Sequence, residues 1–317
     1  MPGQAGWDII PPMSIPVSGP PEPLLAPRHD VPPEGRTGFT RVDGRQIHFL
    51  SWGPVNGPAV VCLHGGGQTA YMFEELGPVL AASGHFVLAP DLPGHGDSDP
   101  LDDFGRRELA ATIAPLCAHF GLHHAAFVGA SLGGMTSITV AAGHPDLVAA
   151  IVLIDVGHRL EEEGVRRIIE FMQAFESFAS LEEAATEISK YLPHRREVRA
   201  ESLKRNLRQR PDGRWQWKHV LAGRLQSGEI DVGSDNWRTI LEGLDTEAAS
   251  LRCPVLLLRG SASDVLSSEG ADEVASLIPN ARVAIVQKAG HLAAGDNPES
   301  TTALISSFLA DVGWTKQ

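Results

Sequence analysis

The chain has 317 residues, 43% of them hydrophobic and 21% charged, enough to bury a sizeable core and too apolar for wholesale disorder. A formal charge of −13, from 26 Lys and Arg against 39 Asp and Glu, argues against a nucleic-acid partner, which demands a cationic surface. Cys62, Cys117 and Cys253 are too few and too scattered for a disulfide framework or a metal cluster. No apolar run approaches the ~20 residues that span a bilayer, and no basic-then-apolar leader opens the chain. These features predict a soluble, cytoplasmic protein.

Residues 1–36 hold ten of the 23 prolines and are expected to form an extended arm, with Trp7, Ile9 and Ile10 available for packing. Beyond it, residues 37–43 and 45–52 flank Gly44 and predict an antiparallel hairpin. Apolar runs follow at 58–64, 85–90, 125–130, 147–155, 254–260 and 281–287. Several are continuous, as parallel strands covered on both faces require. Helical spacing lies between them, at 104–120 and at 132–143 before Pro145. The alternation predicts an α/β protein with a doubly wound, mostly parallel eight-stranded sheet.

Residues 157–245 break this rhythm. Val165, Ile168, Ile169, Met172 and Phe175 share one helix face, and Ser180 with Glu183 forms a capping box that opens a second helix. No strand signal interrupts them, so a helical cap is expected over the carboxyl ends of the strands. The organisation read is an arm at 1–36, a core at 37–156 and 246–317, and a cap at 157–245.

Gly129-Ala130-Ser131-Leu132-Gly133 matches G-x-S-x-G between an apolar strand and a helical pattern, the context in which a sharp turn exposes a nucleophilic serine. A serine needs a base. Among 13 histidines, His291 follows the last strand and precedes the final helix, so it reaches the same rim as Ser131. The base needs a carboxylate; Asp264, in the loop after 254–260, is preferred to its rival Asp155, at the end of 147–155. His64-Gly65-Gly66-Gly67 supplies bare backbone for an oxyanion hole, assigned to the N–H groups of Gly66 and Leu132, with Gly67 the alternative to Gly66. The loop lacks the Lys and Ser/Thr of a phosphate-binding loop.

Together with Asp91-Leu92-Pro93-Gly94-His95-Gly96-Asp97-Ser98, these motifs make residues 37–313 resemble α/β-hydrolase-fold serine hydrolases. The resemblance implies a Ser131–His291–Asp264 triad and no cofactor or metal. It leaves open esterases, carbon–carbon bond hydrolases and catalytically idle receptors of this fold. The leading reading is a carboxylic-ester hydrolase working through a serine acyl-enzyme on a small-molecule ester, apolar or monoanionic. Gly67, Phe171, Phe175 and Trp215 are candidate substrate contacts, with Phe104, Trp217 and Trp237 as further pocket walls. Residues 194–214 concentrate Arg195, Arg196, Arg199, Lys204, Arg205, Arg208, Arg210 and Arg214; they either attract an anionic substrate or form a solvated face paired with acids such as Glu197 and Glu201.

Overall fold

Short apolar strands without a polar face have to be covered on both sides, and the chain meets that demand with helices. The computed structural model describes residues 31–102, 105–195, 197–227 and 235–315. The arm expected at 1–36 lies almost wholly outside them, as do Phe104, Arg196 and the side chain of Trp237.

An antiparallel pair, β1 (Arg36–Val42) and β2 (Arg45–Trp52), leads into β3 (Ala59–Leu63), α1 (Leu76–Ala82) and β4 (Phe86–Pro90). Then come α2 (Arg106–His119), β5 (Ala125–Ala130), α3 (Leu132–Gly143) and β6 (Val148–Ile154). The next segment contains α4 (Glu162–Ala174), β7 (Ser177–Phe178), α5 (Leu181–Tyr191), β8 (Leu207–Gln209), β9 (Trp215–Trp217) and α6 (Val220–Gln226). The chain closes with α7 (Leu244–Ser250), β10 (Val255–Gly260), α8 (Ser268–Leu277), β11 (Ala281–Val286), α9 (Ala293–Asp296) and α10 (Pro298–Asp311).

The eight-stranded sheet runs β1-β2-β4-β3-β5-β6-β10-β11 and is parallel from β4 to β11, as the apolar runs predict. Every residue of β3, β4 and β5 is buried. Alternation splits them between two cores. Val61, Leu63 and Phe127 join Leu109, Ile113, Met135 and Val274 under α2, α3 and α8, while Val60, Cys62 and Val128 join Leu80, Ile305 and Phe308 under α1 and α10. Truncating the fully buried Phe127 to Ala would cost about 3–5 kcal/mol.

The strand order reverses at β3, whose neighbours are β4 on one side and β5 on the other. In open α/β sheets a ligand crevice lies outside the strand carboxyl ends at such a switch point. The loop after β3 and the turn after β5 therefore share one rim.

The insertion between β6 and α7 is not purely helical. β7, β9 and β8 form a small antiparallel sheet around a third core of Phe178, Leu181, Ile188, Leu203 and Leu207. Strands of two or three residues are too short to show a period-two pattern, so the sequence displays only the helices. Of those, α5 opens as its capping box predicts, with Glu183 N–H donating to Ser180 Oγ at 3.1 Å.

Candidate active site

Ser131 occupies the turn from β5 to α3 with φ 46° and ψ −116°, a positive φ that a side-chain-bearing residue adopts only under constraint. The surroundings impose it. Ser131 N–H donates to the Ile154 carbonyl (3.0 Å), and its own carbonyl accepts from Met135 N–H (3.0 Å). Gly133 packs so closely on β3 that a Cβ there would stand 2.1 Å from the Leu63 carbonyl oxygen, so only glycine closes this elbow. Leu132 N–H, in the first turn of α3, has no acceptor within its own helix.

Beside it, Asp155 directly follows β6, fully buried and also at a positive φ of 51°. Its Oδ2 accepts from His291 Nδ1 at 2.8 Å and from Ser263 Oγ at 2.5 Å, and its Oδ1 accepts from Gly260 N–H at 3.0 Å. An ionised carboxylate only accepts, so the His291 proton sits on Nδ1 and the Nε2 lone pair is left to act. Ser263 has no freedom either. Its oxygen accepts from Val265 N–H (3.2 Å) and Leu266 N–H (3.1 Å), which leaves its hydroxyl proton for Asp155.

Asp264 is not in this cluster. Its carboxylate faces the insertion, where Oδ2 meets Arg167 Nη1 at 2.6 Å with about a third of the side chain exposed. The loop after β10 does reach the site, but it delivers Ser263, and the next side chain points the other way. The expectation that Asp264 orients His291 is therefore corrected in favour of Asp155.

The loop after β3 is held by a buried imidazole. Leu92 N–H donates to His64 Nε2 (2.9 Å), so the His64 proton lies on Nδ1, which donates to the Gly65 carbonyl (2.8 Å). Gln68 N–H donates to the same carbonyl (3.2 Å). Because a trans peptide sets its C=O and N–H in opposite directions, the Gly66 N–H points away from the His64 ring. Gly65 itself lies against the Ser131 turn, where a Cβ would be 3.4 Å from Ser131 Cβ.

Three buried histidines connect this loop to the insertion. Ring centroids of His64 and His95 are 5.1 Å apart and those of His95 and His219 are 6.0 Å apart. The backbones of His95 and His219 form a β-bridge, and Val220 N–H donates to the Gly94 carbonyl (2.8 Å). Burial lowers the pKa of all three; the neighbouring imidazoles push His95 further down, and His219 falls to about 4. They are neutral at pH 7.

The substrate contacts expected from sequence fare unevenly. Gly67 does lie at the junction: a Cβ there would come 2.6 Å from Met172 Cε and 3.5 Å from His219 Nε2, while one on Gly66 would meet Leu221 at 3.3 Å. Phe171, Phe175 and Trp215 instead pack into the insertion's own core, Phe171 stacking on Tyr191 with centroids 4.1 Å apart. Trp217 does the same and donates its indole N–H to the Phe175 carbonyl (3.0 Å). Of these neighbours Leu221 is the one that sequence reasoning passed over; Met172 and His219 are cap residues that the sequence offers to the pocket without separating that role from packing or solvation. Met172 shares one helix face with Val165, Ile168, Ile169 and Phe175, and nothing in spacing alone distinguishes a packed stripe from the edge of a cleft.

The described cations of the basic stretch have partners. Arg195 pairs with Asp296, Arg199 with Glu197, Lys204 with Glu201, Arg205 with Glu74, Arg208 with Asp97 and Arg210 with Glu176, while Arg214 bonds Ser177. Atoms of His48, Asp91 and Asp97 lie within 4.8 Å of one another, a spacing that suits a metal. Their ligand atoms already have protein partners, Asp97 Oδ2 accepting from Lys218 Nζ at 2.9 Å. His48 Nδ1 bonds Asp91 (2.7 Å), its Nε2 bonds Thr37 (2.8 Å), and Asp91 also accepts from Ala70 N–H (2.7 Å) and Asp97 N–H (3.0 Å). The grouping fits a loop anchor better than a metal centre.

A profile of the alpha/beta hydrolase fold family matches residues 58–298. The chain belongs to this family. It is a hydrolase of that fold, and its relatives span different substrates. Esterase Rv0045c of Mycobacterium tuberculosis is 30% identical over 85% of this chain and 88% of its own length. The 2-(acetamidomethylene)succinate hydrolase of Mesorhizobium japonicum is 29% identical over 80% of this chain and 88% of its own. A crystal structure of an E-2-(acetamidomethylene)succinate hydrolase superposes with a TM-score of 0.75, covering 87% of this chain and 99% of the other; at 24% identity this speaks for the fold alone. Among the described residues, no helix is long and apolar enough to cross a membrane.

Proposed function

We propose that this hydrolase cleaves carboxylic esters through an acyl-enzyme on Ser131. The observation that carries the reading is the bond from His291 Nδ1 to the buried Asp155 on the rim that also holds the Ser131 turn. His291 Nε2 takes the Ser131 proton as Oγ attacks the carbonyl carbon, and Asp155 stabilises the imidazolium that results. Leu132 N–H and Gly66 N–H receive the oxyanion; losing one such donor typically costs about 10²–10³ in kcat. Collapse of the tetrahedral intermediate expels the alcohol, which takes the proton from His291. Water, deprotonated by the same imidazole, then releases the acid and restores Ser131.

The insertion acts as a cap in this reading, with Met172, Leu221 and a neutral His219 above the oxyanion loop. Uncharged groups and paired cations favour an uncharged, apolar ester over the monoanionic one. The esterase relative supports ester cleavage itself. Nitrophenyl esters graded by acyl length and charge, assayed with wild type and Ser131→Ala, test the proposal. Turnover of neutral esters that falls by about 10⁶ in the variant is expected. No ester turnover, with bleaching of a vinylogous ring-cleavage diketone instead, would move the assignment to carbon–carbon bond hydrolysis by the same residues.

A further inference from the structure

The loop that carries His291 is gripped from outside the core. Asp296, at the end of α9, is a carboxylate with 4% of its side chain exposed. Its Oδ2 accepts from Gly290 N–H at 3.0 Å, one residue before His291. Its Oδ1 lies 3.2 Å from Arg195 Nε, and Arg195 belongs to the insertion. One buried carboxylate therefore joins the base's own loop to the element above it.

Packing reinforces this junction at two glycines. A Cβ on Gly290 would lie 3.0 Å from His194 Cδ2, and a Cβ on Gly295 would lie 2.1 Å from Arg195 Nη2. Two consecutive insertion residues thus sit directly on backbone at either side of His291. The arrangement is costly unless it is complete. A buried carboxylate without its cation is strongly unfavourable, because the charge has lost water and found nothing in exchange. Whatever draws Arg195 away also loosens the acceptor that holds Gly290.

We propose that Asp296 is a positioning residue through which Arg195, and so the seating of the cap, sets the placement of His291 against Asp155. The proposal rests on the reading of His291 as the base. With the cap seated, Asp296 is neutralised, Gly290 is anchored and the Nδ1–H of His291 meets Asp155 squarely. With the cap displaced, the anchor slackens and the imidazole drifts, so proton transfer becomes efficient only once the site is covered. Asp296 touches no reacting atom; it acts through Gly290.

The test compares Arg195→Gln, Arg195→Lys, Asp296→Asn and the Arg195→Gln/Asp296→Asn double variant, each checked for folding by circular dichroism. Two readouts are taken: kcat and KM for a small neutral ester, and the downfield proton resonance of His291 Nδ1–H. Arg195→Gln should lower kcat about tenfold with KM changed less than about twofold, within the range produced by a misplaced catalytic group. Its Nδ1–H resonance should broaden or shift, and Arg195→Lys should recover most of both. Asp296→Asn keeps an acceptor for Gly290 but loses the ion pair, so it should resemble Arg195→Gln, and the double variant should be no worse than either. Folded Arg195→Gln with wild-type kcat and an unmoved resonance overturns the proposal, as does strict additivity in the double variant. A wild type that turns over no ester overturns the esterase reading instead, and the resonance alone then decides the coupling.

Discussion

Ser263 Oγ donates to Asp155 Oδ2 across 2.5 Å, so the loop after β10 reaches the carboxylate that holds His291 through a hydroxyl and not through Asp264. Two strand ends that were rivals for supplying the acid, those of β6 and β10, thereby divide the work. β6 supplies the charge and β10 supplies two donors that fix it, the Ser263 hydroxyl and Gly260 N–H.

The division makes opposite predictions for the two aspartates. Asp155→Asn should lower kcat by about 10⁴, since the amide no longer holds the proton on Nδ1. Asp264→Asn removes a half-exposed pair with Arg167 and should leave kcat within about threefold, with a stability change of at most about 1 kcal/mol. Steady-state kinetics and thermal melts on the two variants check both statements.

Ser263→Ala takes one donor from Asp155 and one acceptor from the amides of Val265 and Leu266. A loss of about 1–3 kcal/mol in unfolding free energy is expected. A fall of about tenfold in kcat should accompany it, because the carboxylate is then free to rotate off His291. Chemical denaturation and kcat measured on the same preparation would separate the two effects.

The layered fold was legible in the sequence because burial on both faces leaves a direct signature: β3 to β6 and β10 read as apolar runs of strand length. The sharp turn at Ser131 was legible because G-x-S-x-G admits few other residues there, as the close approach of Gly133 to Leu63 shows. The acid was not. Asp155 and Asp264 both follow apolar strands, and only the side-chain directions around Ser263 decide between them. The contacts of the insertion were legible only in part, for a related reason. Met172 shares its helix stripe with Phe175, yet Phe175 turns into the insertion's core and Met172 reaches Gly67.

Acid should weaken the grip of the insertion on the loop after β3. His219 titrates at about 4 when folded, against 6.5 as its ordinary value, so between those pH values the unfolded chain binds the proton and the folded chain does not. Stability is then whole well above pH 6.5 and declines as the pH falls towards 4, by roughly 3 kcal/mol from this residue. His64 and His95 are shifted in the same direction and add to the slope. In His219→Asn the new side chain still accepts from Ala222 N–H at the start of α6, as His219 Nδ1 does at 3.3 Å. Its Tm should therefore fall less steeply with acid than that of wild type in calorimetry from pH 7 to pH 4.5.

Paired arginines make poor steering groups. If the basic stretch is spent on ion pairs, kcat/KM for an anionic ester and for a neutral ester of equal size should respond alike to added salt. A selective decline for the anionic ester would restore the cationic stretch as a substrate guide.

The central claim is that Ser131 is activated by His291 held on Asp155. Covalent labelling by a fluorophosphonate, read by intact mass and peptide mapping, tests it most directly. The account predicts one phosphonyl group per chain, on Ser131, formed rapidly in wild type and in Asp264→Asn and far more slowly in Asp155→Asn. Labelling at another residue, no labelling at all, or a rate that collapses with Asp264 while tolerating the loss of Asp155 would contradict it.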